Sequence, residues 1–346
     1  MKKLPLISKS QDALEILNPA TEIAGFNRLK FMVKLLFTCL ILSLVTLTAS
    51  SQTANFKNEF GFRSDNDSFL GVGQDRYYTN GLFLSFRHAL KQDSDRQKFA
   101  KKIYEVEAGQ YMYNPQTGQI KSQSQVDRPF AAYLYAGAKL NLIYKNEQSF
   151  ELSLNAGTIG PNALGKEVQE GLHNAVGFYK ISGWEYQVQN EIGVNAGLRY
   201  SRLLSRKGNN DFTLQNYVNV GNTFSALGAG MLFRTGRINP FSSSVSNNSR
   251  ISNSLKDTIP AKEFFFFTRP MLNFVAYDAT VQGGLFTDDK GPVTFSPRRL
   301  QYSQELGVNY AVKRWTLNFS VTYKSRDDKQ QQVPHQYGSA FIYYRF

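Results

Sequence analysis

The chain has 346 residues, a formal charge of +13, and 27 phenylalanines and 19 tyrosines, yet its mean hydropathy is only −0.37. A soluble enzyme would need a large apolar core to hold so much aromatic surface, whereas a sheet that shows apolar side chains to lipid on one face accommodates it. The single cysteine, Cys39, lies in an N-terminal apolar run, so disulfides, thiolate metal sites and a cysteine nucleophile are excluded from the mature protein.

That run, LLFTCLILSLVTLTASSQ, follows Val33 and Lys34 and ends on the small residues Ala49, Ser50 and Ser51. A basic flank, a short apolar stretch and small residues make a secretory signal peptide rather than a span. More apolar residues follow Cys39, which sets it apart from a lipoprotein cleavage site. Met32 is a second candidate start, so residues 1–51 are expected to be an N-terminal extension and signal peptide that is removed. Residues 52–346 are then one domain. The removed part holds six lysines and arginines against three acids, which leaves +10 on the mature chain. A basic exported barrel suits phosphorylated lipid; no nucleic-acid motif is present, and export argues against that partner.

From residue 55 onward the dominant period is two. Leu82, Leu84 and Phe86 alternate with Arg87 on the other face, and Phe150 opens a segment that alternates through Gly157. Ile192, Val194, Ala196, Leu198 and Tyr200 share one face, opposite Glu191, Gly193, Asn195, Gly197 and Arg199. Leu306, Val308, Tyr310 and Val312 repeat this, as do Trp315, Leu317, Phe319, Val321 and Tyr323. No run of apolar residues after the signal is long enough for a helical span. The spacing predicts strands at 56–63, 81–89, 130–144, 149–159, 188–205, 211–222, 224–235, 262–277, 279–287, 300–313, 315–325 and 337–346. The fold class is therefore all-β, an antiparallel up-and-down transmembrane barrel of about 12 strands in the outer membrane of a Gram-negative bacterium. Phe346 ends the last strand, as such barrels usually end. Short turns at Asn146-Glu147 and Lys313-Arg314 are expected to face the periplasm. The segments 91–128, 160–187, 236–261 and 288–299 are expected outside, with 242–249 a polar loop.

Segment 160–187 leaves the two-residue period. Pro161 opens it, and Val168, Leu172 and Val176 recur at four-residue steps, which predicts a short amphipathic helix in an external loop. Gln169 and His173 share another face of it. A lone histidine is ordinarily a packing residue, and His88 and His335 are read that way. His173 gains weight from residues 64–81, SDNDSFLGVGQDRYYTNG. This is no EF-hand: Leu70 stands where that loop needs glycine, and no glutamate closes it. It is instead a strand, turn and strand that gather Asn66, Asp67 and Thr79 at one rim.

The blocks NDSFLGVGQDRYYTNGLFLSF, DRPFAAYLYAG, GTIGPNALGKEVQEGLHNAVGF and HQYGSAFIYYRF resemble the lipid A 3'-O-deacylase (LpxR-type) family, in family order across the mature chain. The resemblance implies a 12-stranded barrel that removes the 3'-linked acyloxyacyl group of lipid A by calcium-dependent (Ca2+) ester hydrolysis. It implies His173 as general base, Asn66, Asp67 and Thr79 in the catalytic set, Asp67 as metal ligand and Lys121 as a substrate-binding residue. The partners are lipid A or lipopolysaccharide and outer-membrane lipid, and the protein is expected to be a monomer. One position departs from the family: its acid six residues after the histidine falls on Tyr179, and the next downstream carboxylate is Glu185. Arg128 of DRPF is expected to make a structural contact. A rival reading is a non-enzymatic barrel, either a pore or a structural protein. A serine–histidine phospholipase is a third, and it needs a serine within reach of a histidine.

Overall fold

In lipid every backbone N–H and C=O must be paired within the protein, and a closed sheet meets that demand without an edge. The computed structural model describes residues 55–71, 75–91, 98–254 and 257–346; the expected extension and signal peptide lie outside the described residues. Twelve antiparallel strands close on themselves in sequence order. They are β1 (Asn58–Asn66), β2 (Tyr78–Ala89), β3 (Phe99–Tyr113), β4 (Ala131–Tyr144), β5 (Gln148–Ile159) and β6 (Glu191–Lys207). The circuit continues with β7 (Asn210–Gly221), β8 (Phe224–Arg237), β9 (Lys262–Asp278), β10 (Leu300–Val312), β11 (Trp315–Lys324) and β12 (His335–Arg345). β1 and β12 seal it, with Glu59 opposite Arg345 and Asn66 opposite Gly338.

Alternation sets the two faces. On β6, Ile192 is 76% exposed to the lipid side while its neighbour but two, Asn195, is buried in the lumen. The lumen near the seal is ionic: Arg87 lies 2.8 Å from Glu59 and 2.5 Å from Glu105, and Arg345 lies 3.1 Å from Glu59. These pairs cross β1, β2, β3 and β12. Removing one partner of such a buried pair costs about 3–5 kcal/mol, because the other charge is left alone.

The strand number matches the sequence expectation, but two strands differ. Residues 279–287 are not a strand: a helical turn (Ala279–Gln282) and a loop stand there. Its place in the circuit is taken by β3, within the stretch 91–128 read as one long loop. β3 is hard to see because Tyr104 and Val106 supply its main lipid-facing bulk, while Glu105 and Glu107 face inward. Further up, the outward residues Gln110 and Met112 are covered by protein rather than lipid, so the apolar alternation fades.

Strand parity corrects a second expectation. Connections after even-numbered strands share one end with the short turns 145–147, 208–209 and 313–314, so 238–261, which joins β8 to β9, lies at that inner rim and not outside. Nor is 242–249 a free polar loop. Its serines turn inward because the strands there offer charges to bind. Arg234 donates to Ser244 Oγ at 2.7 Å, Ser244 Oγ donates to Glu263 at 2.7 Å, and Asn141 donates to the Asn247 carbonyl at 2.9 Å. The Lys101 ammonium binds the carbonyls of Ser242 and Ser249. Phe241, Val245 and Ile251 are buried with them. The segment thus plugs the inner mouth from β3, β4, β8 and β9 together.

A plug held this way should block ion flow. Planar-bilayer recording of the wild-type protein should show no steady open-channel current, and replacing 241–252 by a glycine–serine linker should produce one. Stable wild-type conductance would contradict the plug.

Candidate active site on the outer wall

Register places the site before any side chain is considered. Asn66 pairs with Asn80, Asn80 with Met112, and Met112 with Ala132. Directly opposed residues point the same way, and this row has the parity of Phe60, Phe62 and Leu84, which face lipid. The site therefore lies on the outer wall of the barrel at the rim of the long loops. The lumen cavity is lined by other residues of the same strands, among them Arg63, Asp65 and Tyr78.

The loop from β1 to β2 is built around Asp67. Asn66 ends β1 in extended conformation, and its Oδ1 accepts the Ser68 N–H at 2.7 Å, capping a 3-10 turn (Asp67–Leu70). Asp67 is buried; its Oδ2 accepts the Arg76 N–H at 2.8 Å, and Thr79 Oγ1 lies 3.3 and 3.4 Å from its two oxygens. Tyr77 returns the chain to β2 in the left-handed region, at φ 58, a costly choice for a bulky residue. It is held there by its N–H to the Pro115 carbonyl and its hydroxyl to Asp127 at 2.7 Å.

Over the far end of the row lies helix α1 (Gly165–Val176). A Cβ at Gly165 would come within 2.5 Å of both Ala132 and Trp184, so only glycine lets the helix sit this close to the wall. Met112, Ala132, Ala163 and Trp184 form a small core outside the barrel. The buried face of α1 carries Gly165, Gln169 and His173 at four-residue steps, whereas Leu172, expected on the packed face, is exposed. The helix turns a polar stripe toward the barrel because that stripe has partners there.

Those partners centre on Asp75, which the sequence reading missed. Its Oδ2 lies 2.7 Å from His173 Nε2 and accepts the Gln169 amide at 2.6 Å. The orientation of Gln169 follows from Trp184, whose indole N–H only donates and reaches Gln169 Oε1 at 2.9 Å. His173 Nδ1 lies 2.8 Å from the Tyr179 carbonyl. A carbonyl only accepts, so Nδ1 carries a proton and Nε2 is the nitrogen that titrates. The Tyr179 hydroxyl accepts the Asp75 N–H at 3.2 Å. The place of the missing acid is thus covered twice, by the Tyr179 carbonyl on one ring nitrogen and by Asp75 on the other. Glu185 is exposed and takes no part.

Burial alone would lower the His173 pKa, but the hydrogen bonds it donates to Asp75 and to the Tyr179 carbonyl, with the charge of Asp75, raise it overall. Burial raises the Asp67 pKa well above the ordinary carboxylate range, and the charge of Asp75 adds to this against the opposing Arg76, Thr79 and Ser68 hydrogen bonds. Two carboxylates close enough to repel are what a cation relieves. Asn80 Oδ1, beside Asn66, is buried without a hydrogen-bond partner. Asp67, Thr79 and Asn80 thus offer an oxygen-only donor set that fits a hard cation. No group of three His, Cys, Asp or Glu side chains suited to a metal occurs among the described residues, so neutral oxygens must supply part of any coordination.

The remaining expectations fall elsewhere. Lys121 is exposed on the β3–β4 loop, where its N–H donates to Gln125; among the described residues no ion pair links it to Asp67 or Asp75. Arg128 is fully buried, donating to Thr280 at 2.8 Å and stacking on Tyr113 at 4.1 Å, a structural contact. His88 pairs with Asn58 at the opposite rim, and His335 is buried beside Tyr77. No serine hydroxyl bonds a histidine among the described residues.

The family profile described as outer membrane protein LpxR matches residues 35–346. Among solved structures the chain is similar to LpxR from Salmonella typhimurium, with 21% identity and a TM-score of 0.68, over 83% of this chain and 100% of that one; this likeness shows the fold. The beta domain of the Bordetella autotransporter Brka has 10% identity and a TM-score of 0.45, over 85% of this chain and 100% of that one. No curated protein sequence matches significantly.

Because Asp75 holds the His173 pKa up, Asp75→Asn should lower it, leaving burial to favour the neutral ring. Proton NMR titration in micelles, with His173→Gln to assign the signal, reads this directly. An unchanged or higher pKa would contradict the pairing.

Proposed function

The chain belongs to the outer membrane protein LpxR family, and from that premise we propose that it is a lipid A 3'-O-deacylase, hydrolysing the 3'-linked acyloxyacyl ester at the outer rim. One observation carries the reading: a buried histidine–carboxylate pair and an oxygen donor set meet on the lipid side of the wall. A lipid resting in the outer leaflet reaches such a site sideways, without leaving the membrane. A lumenal site would require its extraction. Exposed Phe69, Leu164 and Phe178 flank the place, and the Phe178 ring packs edge-on against His173 at 5.4 Å. They offer acyl chains an apolar surface.

The chemistry follows from the fixed tautomer. With Nδ1–H held by the Tyr179 carbonyl, Nε2 is the nitrogen that takes a proton, and Asp75 Oδ2 lies 2.7 Å from it. That gap is too short for a water between them, so the attacking water would enter once the Asp75 carboxylate moves off neutral Nε2, and it would donate to Nε2. As it attacks the ester carbonyl, Nε2 takes its proton, and Asp75 stabilises the imidazolium that forms. When the intermediate collapses, the sugar oxygen leaves with that proton, giving a free fatty acid and a hydroxyl. Calcium held by Asp67, Thr79, Asn66 and Asn80 oxygens would polarise the ester carbonyl. Lys121, on its exposed loop, suits a lipid phosphate. The groups are complete within one chain, so a monomer suffices. The plugged inner mouth speaks against the pore reading.

Expression in a host with hexa-acylated lipid A should give a species lacking the 3' acyloxyacyl group by mass spectrometry. His173→Ala and Asp67→Ala should abolish it, and EDTA should suppress it, while heat-modifiable folding persists. Asp75→Asn should lower turnover by about 10²-fold, within the range of a general-base contribution. Tyr179→Glu in that background should restore part of it. Unchanged lipid A with folded wild-type protein present would sink the enzyme reading.

A further inference from the structure

Beside the site, three outer loops (114–130, 279–299 and 325–334) enclose a groove of about 980 Å³. Among the described residues six glutamines line it, at 116, 119, 123, 125, 330 and 332, and no lysine or arginine side chain does. Its one carboxylate is already satisfied. Asp127 Oδ1 accepts the Gln116 N–H at 2.9 Å, and Oδ2 accepts the Tyr77 hydroxyl at 2.7 Å and the Gln332 N–H at 3.2 Å. That acid therefore ties the loop 114–130 to Tyr77 and to the loop 325–334, and its oxygens are already engaged. The side-chain amides of Gln116, Gln330 and Gln332 make no hydrogen bond among the described residues. Val126, Val293 and Phe295 contribute apolar walls and belong to, or pack on, the same outer core that seats α1.

The groove joins the reaction site by direct bonds. Arg76 holds Asp67 through its N–H and reaches the Gln116 carbonyl through its side chain at 3.3 Å. On the other side, the Ile120 N–H donates to the Ser182 carbonyl, on the segment that carries His173. A lipid whose ester lies at Asp67 must lead its polar part away from the membrane past these loops.

We propose that this groove binds an uncharged, hydroxyl-rich portion of the oligosaccharide carried by the lipid substrate. A side-chain amide donates and accepts at once, which matches sugar hydroxyls, and the apolar walls suit the C–H faces of sugar rings. An anionic ligand would find no cation there. The proposal rests on the deacylase reading for its substrate, and it makes the groove a specificity element for the saccharide portion.

The test compares core-bearing lipopolysaccharide with bare lipid A, each in mixed micelles with the full mature protein. The triple variant Gln116→Ala, Gln330→Ala, Gln332→Ala should lower the ratio of kcat/KM for the core-bearing over the bare substrate about tenfold. A ratio equal to that of the wild type would overturn the groove assignment. If the wild type hydrolyses neither substrate, the deacylase reading fails and binding decides the groove separately. Dephosphorylated core oligosaccharide, titrated against intrinsic fluorescence, should then bind saturably to the wild type and about tenfold more weakly to the triple variant. Absence of saturable wild-type binding, or equal binding by both proteins, would overturn the proposal.

Discussion

In a closed up-and-down barrel each strand residue points either to the lumen or to lipid, and a slip of one residue in register exchanges the two. The row Asn66, Asn80, Met112 and Ala132 is therefore the constraint on which the site depends. It fixes the outer wall as the floor of the site. It places Met112 and Ala132 where α1 must approach, and it leaves the lumen to an independent set of charges. The ionic seal around Glu59 and Arg345 keeps that register, since pairing β1 with β12 one residue off would put a charged side chain into lipid.

On that floor, two segments that are distant in the chain meet through Asp75 and His173. Both side chains are nearly buried, at 11% and 7% exposure. Desolvation makes such a pair expensive unless the remaining hydrogen-bonding capacity is used. Gln169, Trp184 and the Tyr179 carbonyl use it, each with a partner of the right polarity. A backbone carbonyl, that of Tyr179, thus positions the imidazole from the chain position where the family resemblance leads us to expect an acid. The carboxylate comes instead from the loop after β1. A histidine can be oriented from either ring nitrogen, and here the Tyr179 carbonyl takes Nδ1 while Asp75 takes Nε2.

Much of this was legible in the sequence. Period-two alternation on β6, β10 and β11 gave the barrel, and the break in period at Pro161 gave α1. The spacing of Asn66, Asp67 and Thr79 across one turn gave a rim cluster. What stayed hidden depends on packing between elements. β3 lost its alternation because α1, rather than lipid, covers Met112. The serines of 242–249 read as solvent-facing because their partners, Arg234 and Glu263, stand on strands whose lumenal ends only the closed barrel brings together. Asp75 stood in plain view beside Arg76, but nothing local to it points to His173. That contact exists only once Gly165 lets α1 settle on Ala132.

The central claim is lateral access: the reacting lipid meets the outer wall and not the lumen. The described residues contain no cysteine, so in a Cys39→Ser background single cysteines at Phe69, Leu172 and Tyr111 can each carry a photo-crosslinker in membranes containing lipid A. The account predicts lipid A adducts from positions 69 and 172 and none from 111, which lines the lumen. Adducts at 111 with none at 69 or 172 would contradict it.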